Sequence, residues 1–161
     1  MASFCSRATE RLRRQQSVTG SITVFIKTNP YNTNEPQYQR SVHTLLNQAT
    51  DDTRQIISIA KLLLKDIYKA GYRFHKCGVQ LGHIRAASIP GQIDLFQAVE
   101  FDNHNKNSDV LMTTIDQINN RFPKAISLSA TGINTEWQTA VEHLSQRYTT
   151  NWNGLAVVNC R

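Results

Sequence analysis

The chain has 161 residues, with eighteen Lys and Arg against twelve Asp and Glu, a net charge of +6, and a hydrophobic share of 40%. That suits one medium domain or two small ones, and no run of about eighteen apolar residues and no signal-like apolar core points to a membrane. Cys5, Cys77 and Cys160 are odd in number and far apart, with no Cys-x-x-Cys pair, which argues against a zinc site or a disulfide framework and fits a reduced, cytoplasmic setting. The charge is unevenly spread: thirteen bases face five acids up to Gly91, a net of +8, and five bases face seven acids from Gln92 on, a net of −2. A basic first segment points to a polyanion, with nucleic acid as the default partner. The competing reading is a basic surface that serves only solubility.

Arg7 to Gln16 holds good helix formers over a thin apolar face of Ala8 and Leu12. Such a helix carries Arg7, Arg11 and Arg14 along one side, either for phosphates or as a solvated face. Ser21 to Thr28 alternates, with Ile22, Val24 and Ile26 on one face, which is the period of a half-buried strand. Asn29-Pro30 ends it, and a polar loop leads to a second strand around Tyr38 to Leu46, giving an expected antiparallel pair. With the apolar face covered by helices, Thr23, Phe25, Lys27, Tyr38 and Arg40 are expected to share the open face. Those side chains can grip a sugar-phosphate backbone without reading bases; a merely solvated face is the alternative.

Asp51-Asp52-Thr53 precedes the strongest helix, in which Ile56, Ile59, Ala60, Leu63, Leu64 and Ile67 form one stripe and Lys61, Lys65 and Lys69 lie off it. The acidic pair is read as capping and a macrodipole match rather than as a metal or acid/base site, and Gly71 as the C-cap. Arg73 to Ile84 reads as a strand with Cys77, Val79 and Leu81 inward and Lys76, Gly78 and Gln80 outward. No nucleophile, base and orienting acid converge, the five His show no metal-ligand spacing, and no glycine loop for phosphates occurs. The first segment is therefore expected to be a binding module.

After Pro90 comes Gly91-Gln92-Ile93-Asp94-Leu95-Phe96. A glutamine, a spacer pair and a Leu-Phe doublet can dock as a short extended peptide, the amide at a pocket rim and the two apolar side chains in a cleft. Equally, Leu95 and Phe96 can fold back on their own domain. Asp102 to Ser108 reads as a polar linker, with Ser108 or Asp109 capping a helix whose stripe is Leu111, Ile115, Ile118 and Phe122. Ile126, Leu128 and Ala130 suggest a short strand, and Thr135 caps a helix holding Trp137, Val141 and Leu144. Trp137 and Tyr148 are read as packing residues.

The order helix, strand, strand, long helix, strand, ending in Arg73-Phe74-His75-Lys76-Cys77-Gly78-Val79-Gln80-Leu81, resembles the little finger domain of Y-family translesion DNA polymerases. The run from Ser21 to Pro30, Asn34-Glu35-Pro36 and Ala70 to Lys76 is similar to the UmuC, MucB and ImpB type. So are Leu111-Met112, Asp116 to Asn119 and Arg147-Tyr148-Thr149-Thr150 in the tail, although Ser145-Gln146 stands where that group has Ser-Pro.

This resemblance implies an α+β fold, a mixed sheet packed on two helices, followed by a small, mostly helical region. The implied division is 1–88 as a DNA-binding domain, 89–108 as a linker with the clamp peptide, and 109–161 as the C-terminal extension. The implied function is to hold an error-prone polymerase on primer-template DNA and on the replicative sliding clamp during damage bypass in the SOS response. Gln92, Ile93, Asp94, Leu95 and Phe96 would bind the clamp; Arg7, Arg11, Arg14, Thr23, Phe25, Lys27, Tyr38, Arg40 and Lys76 would face DNA. A UmuD-type subunit and RecA are further implied partners, at no assignable residues, and the setting is the bacterial cytoplasm at the nucleoid. Catalysis and its magnesium belong to a palm domain that no residue here can supply, so no cofactor is expected. The family's first little-finger strand is also expected to be missing, leaving an open sheet edge. The alternative is a stand-alone basic nucleic-acid-binding module.

Overall fold

The computed structural model describes residues 1–89, 101–123 and 125–132, with the side chains of 101–106 outside that description. The elements in order are α1 (Ala2–Arg14), β1 (Ser17–Thr28), β2 (Gln39–Thr50), α2 (Thr53–Ile67), β3 (Phe74–Ala86), α3 (Phe101–Arg121) and a 3-10 turn at Ser129–Thr131. The α+β class is the expected one. Among the described residues the sheet runs β2-β1-β3 with both pairings antiparallel, so it is antiparallel rather than mixed, and three α-helices accompany it. Among the described residues β2 and β3 are both open edges. No described helix is long and apolar enough to cross a membrane. The expected clamp peptide at 92–96 and the packing residues Trp137, Val141, Leu144 and Tyr148 lie outside the described residues.

β1 is the central strand, and its alternation sets the core. Ile22, Val24 and Ile26 are buried on one face, each contributing about 1.5–3 kcal/mol relative to an exposed position. The register places Val24 between Val42 and Val79, and Ile22 between Thr44 and Leu81. Directly opposed residues of an antiparallel pair share a face, so one apolar surface runs across all three strands. α1 and α2 cover it. From α1 come Ala2 and Cys5, and from α2 come Ile56, Ile57, Ala60 and Ile67. Burial pushes the Cys5 thiol up to about 11, which makes it a neutral core group.

α2 starts where the acidic pair predicts. Asp52 is its N-cap, with a carboxylate oxygen accepting from the Arg54 amide at 2.7 Å. The helix ends before the expected glycine: Tyr68 is the C-cap, its amide donating to the Leu64 carbonyl at 2.9 Å. Gly71 instead takes a φ of +90° in the turn that follows, a backbone conformation that costs a side-chain-bearing residue about 1–2 kcal/mol.

Three other expectations are corrected. Cys77 points to the same side as Ile26 but is exposed, because the helix layer covers Val79 and Leu81 on this edge strand and stops short of it. The stretch read as a polar linker is the first part of α3, so Ser108 is a buried mid-helix residue and not a cap. The buried side of α3 holds Ser108 and Met112, whereas Leu111 and Phe122 are exposed; the apolar letters alone placed the stripe about one residue off. Residues 126–130 form no strand. Asn119 holds them instead, its side-chain amide exchanging two 2.9 Å hydrogen bonds with the backbone of Ile126, while Leu128 packs on the core.

Tyr38 also faces the helix layer. Its hydroxyl donates to the Ile67 carbonyl at 2.7 Å, tying the start of β2 to the end of α2. Tyr38→Phe keeps the ring packing and removes only this bond, so it is expected to cost about 1 kcal/mol in urea unfolding. An unchanged midpoint would show that the bond contributes nothing.

Candidate nucleic-acid interface

The uncovered face of the sheet follows from the same register. Thr23 lies between His43 and Gln80, Phe25 between Ser41 and Gly78, and Lys27 between Gln39 and Lys76. Neither Asp nor Glu occurs anywhere on β1, β2 or β3, while Lys27, Arg40, Lys76 and Arg85 do. Lys27 and Lys76 are directly opposed, an arrangement of like charges that destabilises a sheet when nothing compensates it. Thr23 Oγ1 and His43 Nδ1 are hydrogen-bonded at 2.9 Å across the face. The Phe25 ring lies down over Gly78: a Cβ there would sit 2.5 Å from Phe25 Cζ. Glycine thus lets the aromatic ring lie low, and the face is left flat, neutral to basic, and bordered by strand edges that no described strand pairs with. Backbone amides, hydroxyls and lysines on such a surface suit phosphate oxygens.

Of the residues expected on this face, Thr23, Phe25, Lys27 and Lys76 are together there. Tyr38 and Arg40 are not. Arg40 opposes Ile26 and so belongs to the helix side at the sheet edge, and Tyr38, two residues earlier, shares that side with its hydroxyl engaged by Ile67. The helix-borne arginines are elsewhere again. Because α1 covers the apolar side of the sheet, Arg7, Arg11 and Arg14 are separated from Lys27 and Lys76 by the thickness of the sheet and the helix layer. Arg14 is hydrogen-bonded to Glu10 at 2.7 Å, and Arg7 and Arg14 line a cavity of about 480 Å³ between α1, α3 and the 126–131 segment.

That helix layer holds a polar seam which the sequence reading missed. Arg13 grips Asp116 of α3 with two bonds, Nε to Oδ2 at 2.6 Å and Nη2 to Oδ1 at 2.8 Å. Its remaining nitrogen, Nη1, donates to the Asp51 carbonyl at 2.8 Å and to Thr53 Oγ1 at 2.9 Å. The two side chains are only 11% and 21% exposed. Beside them, buried Ser108 donates to Asp52 Oδ2 at 2.5 Å, and Arg54 donates to that same oxygen at 2.8 Å. Burial alone pulls the Arg13 guanidinium down, but the hydrogen bonds and charge of Asp116 outweigh it and raise the group above its usual range. At Asp52 burial pushes upward and is outweighed by the hydrogen bonds of Arg54 and Ser108, which hold the carboxyl below its usual range. Asp51 and Asp109 are pushed up, by burial first and then by neighbouring carboxylates. A signal for this seam exists in the letters: Arg13 follows buried Thr9 by four residues, so it borders the buried side of α1 and needs a partner.

Residues 1–95 match the C-terminal domain of the impB/mucB/samB family. Residues 109–158 match a second domain family, one of unknown function. The chain is 34% identical to the ImpB protein of Salmonella typhimurium over 94% of its own length and 35% of that protein's. It is 34% identical to UmuC of Salmonella typhimurium strain LT2, over 95% of this chain and 36% of UmuC. To MucB of Salmonella typhimurium it is 30% identical, over 98% of this chain and 36% of MucB. The chain therefore spans about a third of the length of these curated relatives.

The Arg13–Asp116 pair joins one matched region to the other. Removing one partner of a largely buried pair strands the other charge, so Arg13→Ala is expected to destabilise the chain by about 3 kcal/mol. In a double-mutant cycle with Asp116→Ala, followed by urea unfolding, the combined loss is expected to fall well short of the sum of the singles. Additive losses would mean that the two groups are energetically independent.

Proposed function

The chain belongs to the impB/mucB/samB family, whose C-terminal domain it carries, and on that premise we propose that it is the DNA-holding portion of an error-prone translesion polymerase. In this reading the open sheet face rests on the phosphates of primer-template DNA, and the peptide Gln92 to Phe96 tethers the polymerase to the replicative sliding clamp. The chain performs no chemistry; it raises the effective concentration of the polymerase at the primer end. The setting is the bacterial cytoplasm at the nucleoid.

One observation carries the DNA reading. Three strands without a single carboxylate bring Lys27 and Lys76 side by side on the uncovered face. A sheet selected only for stability would place an acid opposite one of them. An anion that arrives from outside supplies the missing charge, and a duplex supplies it along the whole face. The clamp reading rests on the residue pattern and on its position at the end of the matched domain.

Replacing Lys27 and Lys76 together with Gln is expected to weaken duplex binding and to lower the slope of log K against log salt by about two. Arg7→Ala with Arg11→Ala is expected to leave that slope unchanged. The free protein bearing Lys27→Gln is expected to gain a few tenths of a kcal/mol, because the opposed like charges are gone. Fluorescence anisotropy across a salt series reads the first two effects and urea unfolding the third; an unaltered slope in the double Gln variant excludes the sheet face as the interface.

Leu95→Ala with Phe96→Ala is expected to abolish pull-down on purified clamp while leaving duplex affinity within about twofold. Retained clamp binding would remove the peptide from this account.

A further inference from the structure

Beyond the phosphate grip, the sheet ends in a cluster of aromatic rings that the duplex reading does not use. Phe74 opposes Thr28 one step past the Lys27–Lys76 pair, and around it lie Tyr38, Tyr68 and Tyr72. Tyr38 and Tyr72 have centroids 4.8 Å apart, and Tyr68 sits 5.6 Å from Phe74 with the planes tilted by 41°. Three of these rings are half-buried and act as a support. Tyr68 is different: packed on Phe74, it is still 59% exposed. A large aromatic side chain held in place by others and left open to solvent is a preformed stacking surface.

The charges near it in the chain are mostly basic. Lys65, Lys69, Arg73 and Lys76 fall within twelve residues, and Lys69 Nζ lies 5.7 Å from the Tyr72 centroid. Of the acids in reach, Glu35 is engaged by Arg73 at 3.0 Å, which leaves Asp66 on α2. The same ion pair ties the β1–β2 loop to the start of β3, and that loop carries Tyr31, 92% exposed. Two exposed tyrosines with interleaved cations are the chemistry that holds single-stranded nucleic acid, in which unpaired bases offer π-faces and the backbone offers phosphates.

We propose that Tyr68, supported by Phe74 and followed by Lys69, stacks on an unpaired base of a DNA strand that passes round this end of the sheet, with Tyr31 as a second platform. This rests on the duplex reading for its placement, but the two can fail separately. A stacked base contributes affinity without releasing counterions, so it leaves the salt slope untouched.

The test uses the whole 161-residue chain and three labelled probes: a dT single strand, a blunt duplex, and the same duplex with a single-stranded 5′ extension. Tyr68→Ala is expected to weaken the single strand and the extended duplex about tenfold, with an unchanged salt slope and unchanged blunt-duplex affinity. Tyr68→Phe is expected to restore binding. Tyr68→Leu keeps an apolar contact on Phe74, so it guards against a folding defect, and it is expected to behave like Ala. Binding retained in Leu, equal losses on all three probes, or no single-strand binding by the unaltered chain would each overturn the proposal. Loss of blunt-duplex binding in the Lys27 and Lys76 variants bears on the sheet face and leaves this outcome unaffected.

Discussion

One-sided burial of β1 is the constraint from which the rest of the molecule follows. A central strand paired on both edges must send alternate side chains to opposite faces, and Ile22, Val24 and Ile26 commit one of those faces to the core. The helices have to lie there, and with them go the groups that start, pair and anchor helices. Asp52 caps α2, Glu10 pairs with Arg14, and Asp116 meets Arg13, all on the helix side. The opposite face is thereby freed from any structural need for a carboxylate. Its lack of acid and its low aromatic ring are properties that the core permits and does not require.

α3 is held by a different kind of force. Met112 is its one fully buried apolar side chain among the described residues, and Ser108 and Asp116 beside it are polar. Among the described residues of α3, polar side chains are as buried as apolar ones. Two charge-assisted contacts join it to the helix layer: the two-pronged Arg13–Asp116 pair, and the carboxylate of Asp52 shared by Arg54 and Ser108. Asp52 has two duties, since the group that caps α2 also receives α3. Helix initiation in one matched region and attachment of the other are thus coupled through a single carboxylate.

The parts legible in the sequence are those where one periodic signal has no rival. β1 alternates from Ile22 to Thr28, the α2 stripe repeats over about three turns, and the acidic pair before it acts as a cap. Register was less legible. Placing the start of β2 at Tyr38 put Tyr38 and Arg40 beside Lys27, whereas the pairing of Ile26 with Arg40 turns both to the other side; in a strand a displacement of one residue inverts every side chain. Burial at an edge was equally hidden, because the inward parity of Cys77 was right but its cover depends on how far a helix reaches. For α3, Leu and Phe outweighed Ser, Met and Asp in the pattern, although the polar residues make the contact. Family resemblance supplied the family and the α+β class, and it could not say which basic residues share a surface.

That last point bears on how charge should be read in such a domain. The net of +8 up to Gly91 suggests a uniformly basic body, yet none of the four described ion pairs involves a strand residue. Arg13, Arg14, Arg54 and Arg73 each have a carboxylate within 3.0 Å, and their contribution to the outer field is correspondingly small. On the strands the bases are fewer, but no acid offsets them. A polyanion responds to the local field within about a Debye length, roughly 8–10 Å at ordinary salt, and not to the formal total. The sheet face therefore keeps its positive field although it carries fewer cations, and the sidedness of β1, more than the composition of the chain, decides which bases share that surface.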